Sequence, residues 1–243
     1  MSEKAITIKN LTISYRCLKA FSLRKTFFQF KKQSKIEYFT AVKDVSFEVE
    51  KGKILGIVGK KGSGKSTMLK AIAGIFSEDS GSIDLHGNSV SLLSVGVGFQ
   101  KRLSGYDNIF LSGMLLGFSE KEIKEKIDDI IDFSELRDFI YKPVNSYSSG
   151  MYSKLAFSIT AFLETDILLI DEVFSVGDAN FKKKSYNKMK ELISNTDRTV
   201  IIVSHNDNAL KDLCSEILWL HNGKVKMQGD PETVLSAYED FMK

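Results

Sequence analysis

Two prolines, two cysteines, one tryptophan and three histidines are all that the 243 residues hold of those types. Proline occurs only at Pro143 and Pro231, so no proline-rich linker divides the chain. Cys17 and Cys214 form no CxxC and no Cys/His cluster. That removes a disulfide scaffold and a structural zinc site, and it suits a reducing compartment. No stretch reaches the roughly 18 apolar residues needed to span a bilayer, and the opening MSEKAITIKN lacks the apolar core of a leader. A role at a membrane would need a spanning part from another chain. Charge of one sign is not in large excess either. Lys and Arg total 34 against 31 Asp and Glu, a net +3 that does not argue for nucleic acid. Repeats and low-complexity tracts are absent. With 43% hydrophobic and 27% charged residues, the composition is that of a globular chain able to bury a sizeable core.

Hydrophobic periodicity gives the order of elements. Residues 4–15 read as a strand with Ile6, Ile8, Leu11 and Ile13 as its apolar set, and residues 41–49 as a half-buried strand with one polar slip. Lys51-Gly52 marks a turn, and the apolar strand 53–58 runs into a glycine-rich loop. A helix is predicted from about Lys65 to Ala73, stopped by Gly74. Residues 117–140 and 150–163 carry helical patterns, the first with a Ser119/Glu122 capping box and an apolar face of Ile123, Ile127, Ile130 and Ile131. Near-continuous apolar strands at 166–171 and 199–204 indicate a parallel sheet covered on both faces. A final helix is predicted to start with Asp230 as cap and Pro231 in its first turn. His86 and His221 belong to no motif and read as surface or hairpin residues.

The most specific feature is Gly59-Lys60-Lys61-Gly62-Ser63-Gly64-Lys65-Ser66, followed by Thr67. It fits GxxxxGK[ST] between a predicted strand and a predicted helix, the context that gives the motif meaning. Its glycines let backbone N–H groups curl around phosphate oxygens, and the helix N-terminus adds partial positive charge. Lys65 would reach the β- and γ-phosphates and Ser66 would ligate Mg²⁺. Lys60 and Lys61 occupy variable positions that tolerate many residues, or their charge tunes affinity. Downstream, an apolar strand ends in Asp171-Glu172. In a doubly wound sheet it would bring Asp171 to the metal and place Glu172 as general base for the attacking water. The absence of an NKxD element disfavours GTP, leaving ATP and Mg²⁺ as the expected ligands.

Tyr147-Ser148-Ser149-Gly150-Met151, about twenty residues before Asp171, then resembles the signature loop of the ATP-binding subunits of ABC transporters. The resemblance spans almost the whole chain. It implies an α/β P-loop NTPase of the ABC type, with a mostly parallel sheet flanked by helices, an antiparallel β subdomain and a helical subdomain at about 101–160. Residues 1–243 would form a single ATP-binding domain without a C-terminal carbohydrate-binding domain. Gln100 resembles the glutamine that joins metal and water to the membrane partner. Asp178, in Ser175-Val176-Gly177-Asp178, resembles the acidic D-loop residue, and His205 the switch histidine at the γ-phosphate. Tyr15 resembles the aromatic that stacks on adenine, with Tyr38 as a rival. Ser148, Ser149 and Gly150 would meet the nucleotide bound by the opposite subunit of a head-to-tail homodimer. Three departures stand out: the signature lacks its second glycine and its glutamine, Lys61 replaces the usual asparagine, and Ser-Val-Gly-Asp replaces Ser-Ala-Leu-Asp.

YSSGM with DEVFSVGD is similar to the subfamily that exports lipid-linked polysaccharides: teichoic acids, O-antigens, and capsular or rhamnose-rich glycans. Tyr141-Lys142-Pro143-Val144 and Leu218-Trp219-Leu220-His221 most resemble the teichoic-acid members. The resemblance implies a separate transmembrane permease, a glycan as indirect cargo, no nucleic acid, and a peripheral place on the cytoplasmic face of the cell membrane. Another cargo, or a soluble ABC protein acting on ribosomes or DNA, are the rival readings; the latter usually carries two cassettes or a long coiled coil.

Residues 16–36 hold seven Lys and Arg (Arg16, Lys19, Arg24, Lys25, Lys31, Lys32, Lys35) and no acid, interleaved with Phe21, Phe27, Phe28 and Phe30. Such a segment can lie on anionic headgroups, bind single strands, or be a solvated loop. In a chain of this family it is expected to contact the membrane partner or the headgroups. Neutralising the seven positions should weaken sedimentation with anionic vesicles; undiminished binding would remove the lipid contact.

Overall fold

The structure, a computed structural model, describes residues 3–17, 37–93, 98–171, 178–194, 198–204 and 207–242. The basic stretch from 18 to 36 therefore lies outside the described residues, as do Glu172, the Ser175–Gly177 part of the D-loop, and His205.

Strands β1 (Lys4–Cys17), β2 (Glu37–Glu50) and β4 (Ser80–Asp84) form an antiparallel sheet in the order β2-β1-β4. The expected apolar set of β1 is buried, with Ile6, Ile8, Leu11 and Ile13 all at 3% exposure or less. The register between β1 and β2 shifts at four places along the ladder. The register shifts between Ile8 and Leu11, Asn10 and Asp44 both take positive φ, and the Asn10 Nδ2 donates to Asp44 Oδ1 at 2.9 Å. The polar slip read in the sequence is thus a pair of facing irregularities tied by their own side chains.

The second sheet runs β5-β6-β7-β3-β8-β9, from β3 (Ile54–Val58), β5 (Val90–Leu93), β6 (Ile167–Asp171), β7 (Thr199–Val203), β8 (Glu216–His221) and β9 (Lys224–Gly229). All its neighbours are parallel except the β8–β9 hairpin. Helix α1 (Lys65–Ile72) packs Met68, Leu69 and Ile72 between the two sheets. On the other face, α4 (Ser149–Phe162), α5 (Ala179–Ser194), α6 (Asp207–Leu213) and α7 (Pro231–Met242) cover the sheet through Phe157, Phe181, Met189, Leu210 and Val234.

A third core lies among α2 (Gly105–Leu115), α3 (Glu120–Ser134) and α4, built on Ile109, Ile123, Ile130, Leu155 and Ile159. Helix α4 serves two cores: Leu155 and Ile159 enter this one, Phe157 and Ala161 the sheet core.

The helix expected over 117–140 is shorter. The capping box forms as read, but Gly117 stands at φ 94 ahead of it, and Glu135 turns the chain out at φ 59. Leu136 and Ile140 still reach the core from the loop that follows. Helix α2 was not read as one because two glycines and scattered polar residues blur its period; Ser104 caps it, accepting the Asp107 N–H at 3.0 Å.

Phe181 is fully buried, with its ring 5.6 Å from that of Phe133 and 6.0 Å from that of Phe157. Phe181→Ala should lower stability by about 3–5 kcal/mol in urea denaturation, and a loss below about 1 kcal/mol would contradict this packing.

Candidate functional site

Strand β3 delivers the glycine-rich loop at the carboxyl edge of the sheet, and α1 begins at Lys65. Gly64 stands at φ 104, and a Cβ there would lie 2.3 Å from the Ala41 carbonyl oxygen, so the loop requires glycine twice over. Backbone bonds fix its other side. The Gly223 N–H donates to Ser63 O at 3.1 Å, and the Lys43 N–H to Gly223 O at 2.7 Å. Loop, β8–β9 turn and β2 are thereby one unit.

Within it, Lys65 is only 6% exposed, and its Nζ donates to Gly59 O at 2.6 Å and Lys60 O at 3.2 Å. A buried ammonium on backbone carbonyls is a charge ready for an anion. The Ser63 Oγ is buried and, among the described residues, has no hydrogen-bond partner. The Ser66 hydroxyl donates to Asp171 Oδ1 at 3.2 Å, across a sequence separation of 105. A hydroxyl and a carboxylate side by side are the hard oxygen donors that Mg²⁺ takes, so the residues fit that ion.

An open cleft of about 440 Å³ joins Tyr15, Phe39, Ala41, Lys61, Gly62, Gly64, Lys65, Ser66 and Thr67. The Tyr15 hydroxyl donates to Thr67 Oγ1 at 3.0 Å. Strand register places the two tyrosines differently. Tyr15 faces Phe39 across the ladder, whereas Tyr38 faces Arg16, is 64% exposed and lines no part of the cleft. Phe39 was missed because the strand was begun at residue 41; continuing its two-residue alternation backward from Ala41 would have found it. Of the paired lysines, Lys61 lines the cleft. Lys60 contributes its carbonyl, and its Nζ stands over the Phe241 ring.

Other expected residues lie apart. Gln100 is held by its backbone: its N–H donates to Asn108 Oδ1 at 2.7 Å, and Asn108 Nδ2 donates to Gln100 O at 3.1 Å. Among the described residues no hydrogen bond joins its side chain to Ser66 or Asp171. Asn108 is fully buried and was unforeseen; a polar residue four positions after the Ser104 cap was its only signal. Ser148 caps α4, accepting the Met151 N–H at 3.2 Å, and Ser148 and Ser149 are exposed with Gly150 half-buried. Among the described residues these three make no hydrogen bond to the loop of their own chain.

Asp178 is bonded within its own chain. Its Oδ1 accepts the N–H groups of Asn180 and Phe181 at 3.1 and 3.0 Å, capping α5. Its Oδ2 lies 2.7 Å from Lys154 Nζ, which also pairs with Glu135 at 2.6 Å. The Lys154 hydrogen bond, with the Phe181 N–H, holds the Asp178 carboxyl down at about 2. Its charge is thus engaged within its own chain, between α4 and α5. Glu172 and His205 are outside the described residues, but Asp171 pairs with Val203, so the chain leaves β6 and β7 side by side.

A doubly covered, mostly parallel sheet with a phosphate loop at its carboxyl edge and an acidic strand end beside it defines a nucleotide-binding domain of the P-loop type. The ABC transporter family model matches residues 42–175. The teichoic acids export ATP-binding protein TagH of Bacillus anthracis is 43% identical over 207 residues, covering 85% of this chain and 37% of that protein. TagH of Staphylococcus haemolyticus (strain JCSC1435) is 40% identical over 239 residues, 98% of this chain and 89% of that protein. The O-antigen export system ATP-binding protein RfbB of Klebsiella pneumoniae is 39% identical over 204 residues, 84% of this chain and 82% of that protein. This chain therefore belongs to the ABC transporter family. It spans less than half of the Bacillus relative and most of the other two. Among solved structures, an ATP binding subunit of an ABC transporter shares the fold with a TM-score of 0.73 at 21% identity, covering 97% of this chain and 93% of that one. A dimeric ATP-binding cassette bound to ADP and Pi shares it with a TM-score of 0.70 at 20% identity, covering 93% and 98%.

Because the folded Asp178 carboxyl titrates at about 2, below its unfolded value of about 3.9, its contribution is present above about pH 4 and is lost as pH falls toward 2. Asp178→Asn should be less stable than the unsubstituted chain at pH 6, with the deficit shrinking below pH 4 in urea denaturation. A deficit independent of pH would contradict the ionised cap.

Proposed function

We propose that this chain is the ATP-hydrolysing subunit of an exporter that moves lipid-linked teichoic acid across the cytoplasmic membrane. The observation that carries the proposal is the 40% identity to a teichoic acids export ATP-binding protein along 98% of the chain. The intact loop with its buried Lys65 and the Ser66–Asp171 pair supplies the means. An O-antigen or related glycan is the second reading, favoured by the 39% identity to the Klebsiella protein.

Lys65 and the backbone N–H groups from Gly62 onward neutralise the phosphates, and Tyr15 with Phe39 offers rings to the base. Ser66 and Asp171 would hold Mg²⁺, which when bound would stabilise charge on the phosphate oxygens. Glu172 takes the proton of the attacking water and His205 contacts the γ-phosphate; both assignments rest on the motifs. Ser148 and Ser149, both exposed, and the half-buried Gly150, all apart from their own loop, complete the site of a second copy in a head-to-tail pair. Among the described residues no helix is long and apolar enough to cross a membrane; in this reading the chain acts from the cytoplasmic face on a separate permease. An apolar groove of about 100 Å³ lined by Ile75, Phe99, Leu115 and Ile159, with Leu115 62% exposed, suits that partner.

The test is ATP turnover of the purified chain, alone and with the membrane protein encoded beside it. Lys65→Ala should abolish nucleotide binding. Glu172→Gln should bind ATP and lose about 100-fold or more in turnover. Stimulation of the pair by a lipid-linked teichoic acid supports the cargo, and stimulation by an O-antigen lipid instead selects the second reading. Turnover on ribosomes without a membrane partner would overturn export.

A further inference from the structure

The last turn of α7 has no part in the site above, yet it lies against the phosphate loop. The Phe241 ring is fixed edge-on by Trp219 at 5.2 Å and His221 at 5.0 Å, both on β8. Two ammonium groups sit over it: Lys226 Nζ at 3.4 Å from the centroid and Lys60 Nζ at 5.4 Å. Next to it, Met242 and Tyr238 line a cleft of about 210 Å³ with Val58, Gly59 and Ser204. One helical turn therefore touches the entry to the phosphate loop and the end of β7.

The direction of Lys60 gives this contact its meaning. Its side chain turns from the phosphate cleft to the ring, while its carbonyl accepts the Ser63 N–H at 3.1 Å and the Lys65 Nζ at 3.2 Å. The orientation of that one peptide helps set where the Lys65 ammonium rests. A ring face attracts a cation through its quadrupole, and at a half-exposed site the attraction is modest but directional.

We propose that Phe241 is a positioning residue for the phosphate loop: by holding the Lys60 ammonium over its ring, it fixes the peptide that orients Lys65. The inference rests on the reading of this loop as a nucleotide site. Lys226 is the nearer cation, so the effect on Lys60 is small and graded rather than all-or-none.

The test is titration of the full chain with a fluorescent ADP analogue, for the unsubstituted chain, Phe241→Leu, Phe241→Tyr, Lys60→Met and the Lys60→Met/Phe241→Leu double variant, each with its thermal midpoint. Leucine keeps apolar packing on Trp219 but has no ring face, and Lys60 is exposed, so both variants should fold. Phe241→Leu and Lys60→Met should each weaken binding about threefold, the double variant no further, and Phe241→Tyr should bind as the unsubstituted chain does. Unchanged affinity in Phe241→Leu, or losses that multiply in the double variant, would overturn the role of Phe241. If the unsubstituted chain binds no analogue, the nucleotide reading itself falls.

Discussion

The approach of Gly64 to the Ala41 carbonyl is the constraint on which the rest of the molecule depends. A Cβ at 2.3 Å from that oxygen is impossible without moving β2 or the loop. Because the contact exists, the antiparallel sheet and the parallel sheet meet at the phosphate loop and not somewhere remote from it. The Lys43–Gly223–Ser63 backbone chain repeats the same junction with hydrogen bonds. Tyr15 and Phe39 then reach the phosphate cleft from a sheet to which the loop does not belong. The rings of Tyr15 and Phe39 and the Lys65 ammonium are thus brought to one cleft by contacts of the backbone.

The second organising feature is electrostatic. Lys154, on α4, holds Glu135 at the end of α3 and Asp178 at the start of α5. Three helices are thus referred to one ammonium group. The pair is surface-accessible on the acidic side, and its value lies in direction more than in strength.

Much of this was legible in the sequence, and the reasons are local. The phosphate loop, the acidic strand end, the capping box at Ser119 and the Asp230-Pro231 start are all set by neighbouring residues, so a short window contains the information. Tyr15 over Tyr38 was favoured by motif position, but the pairing of Tyr15 with Phe39 depends on strand register, which shifts at four places along β1. Helix α2 was hidden because its glycines serve packing: a Cβ at Gly113 would fall 2.6 Å from Ile123. The engagement of Asp178 with Lys154, and of Lys60 with Phe241, joins residues far apart in sequence and leaves no periodic trace. What a window cannot see is what the fold alone brings together.

Helix α4 sends Leu155 and Ile159 into one core and Phe157 and Ala161 into another. A segment owned by two cores cannot melt out of one while staying in the other. The helical layer and the sheet layer are therefore thermodynamically a single cooperative unit at this helix, whatever freedom they have elsewhere. The same continuity makes α4 a rod whose exposed serine end and partly buried phenylalanine end turn together.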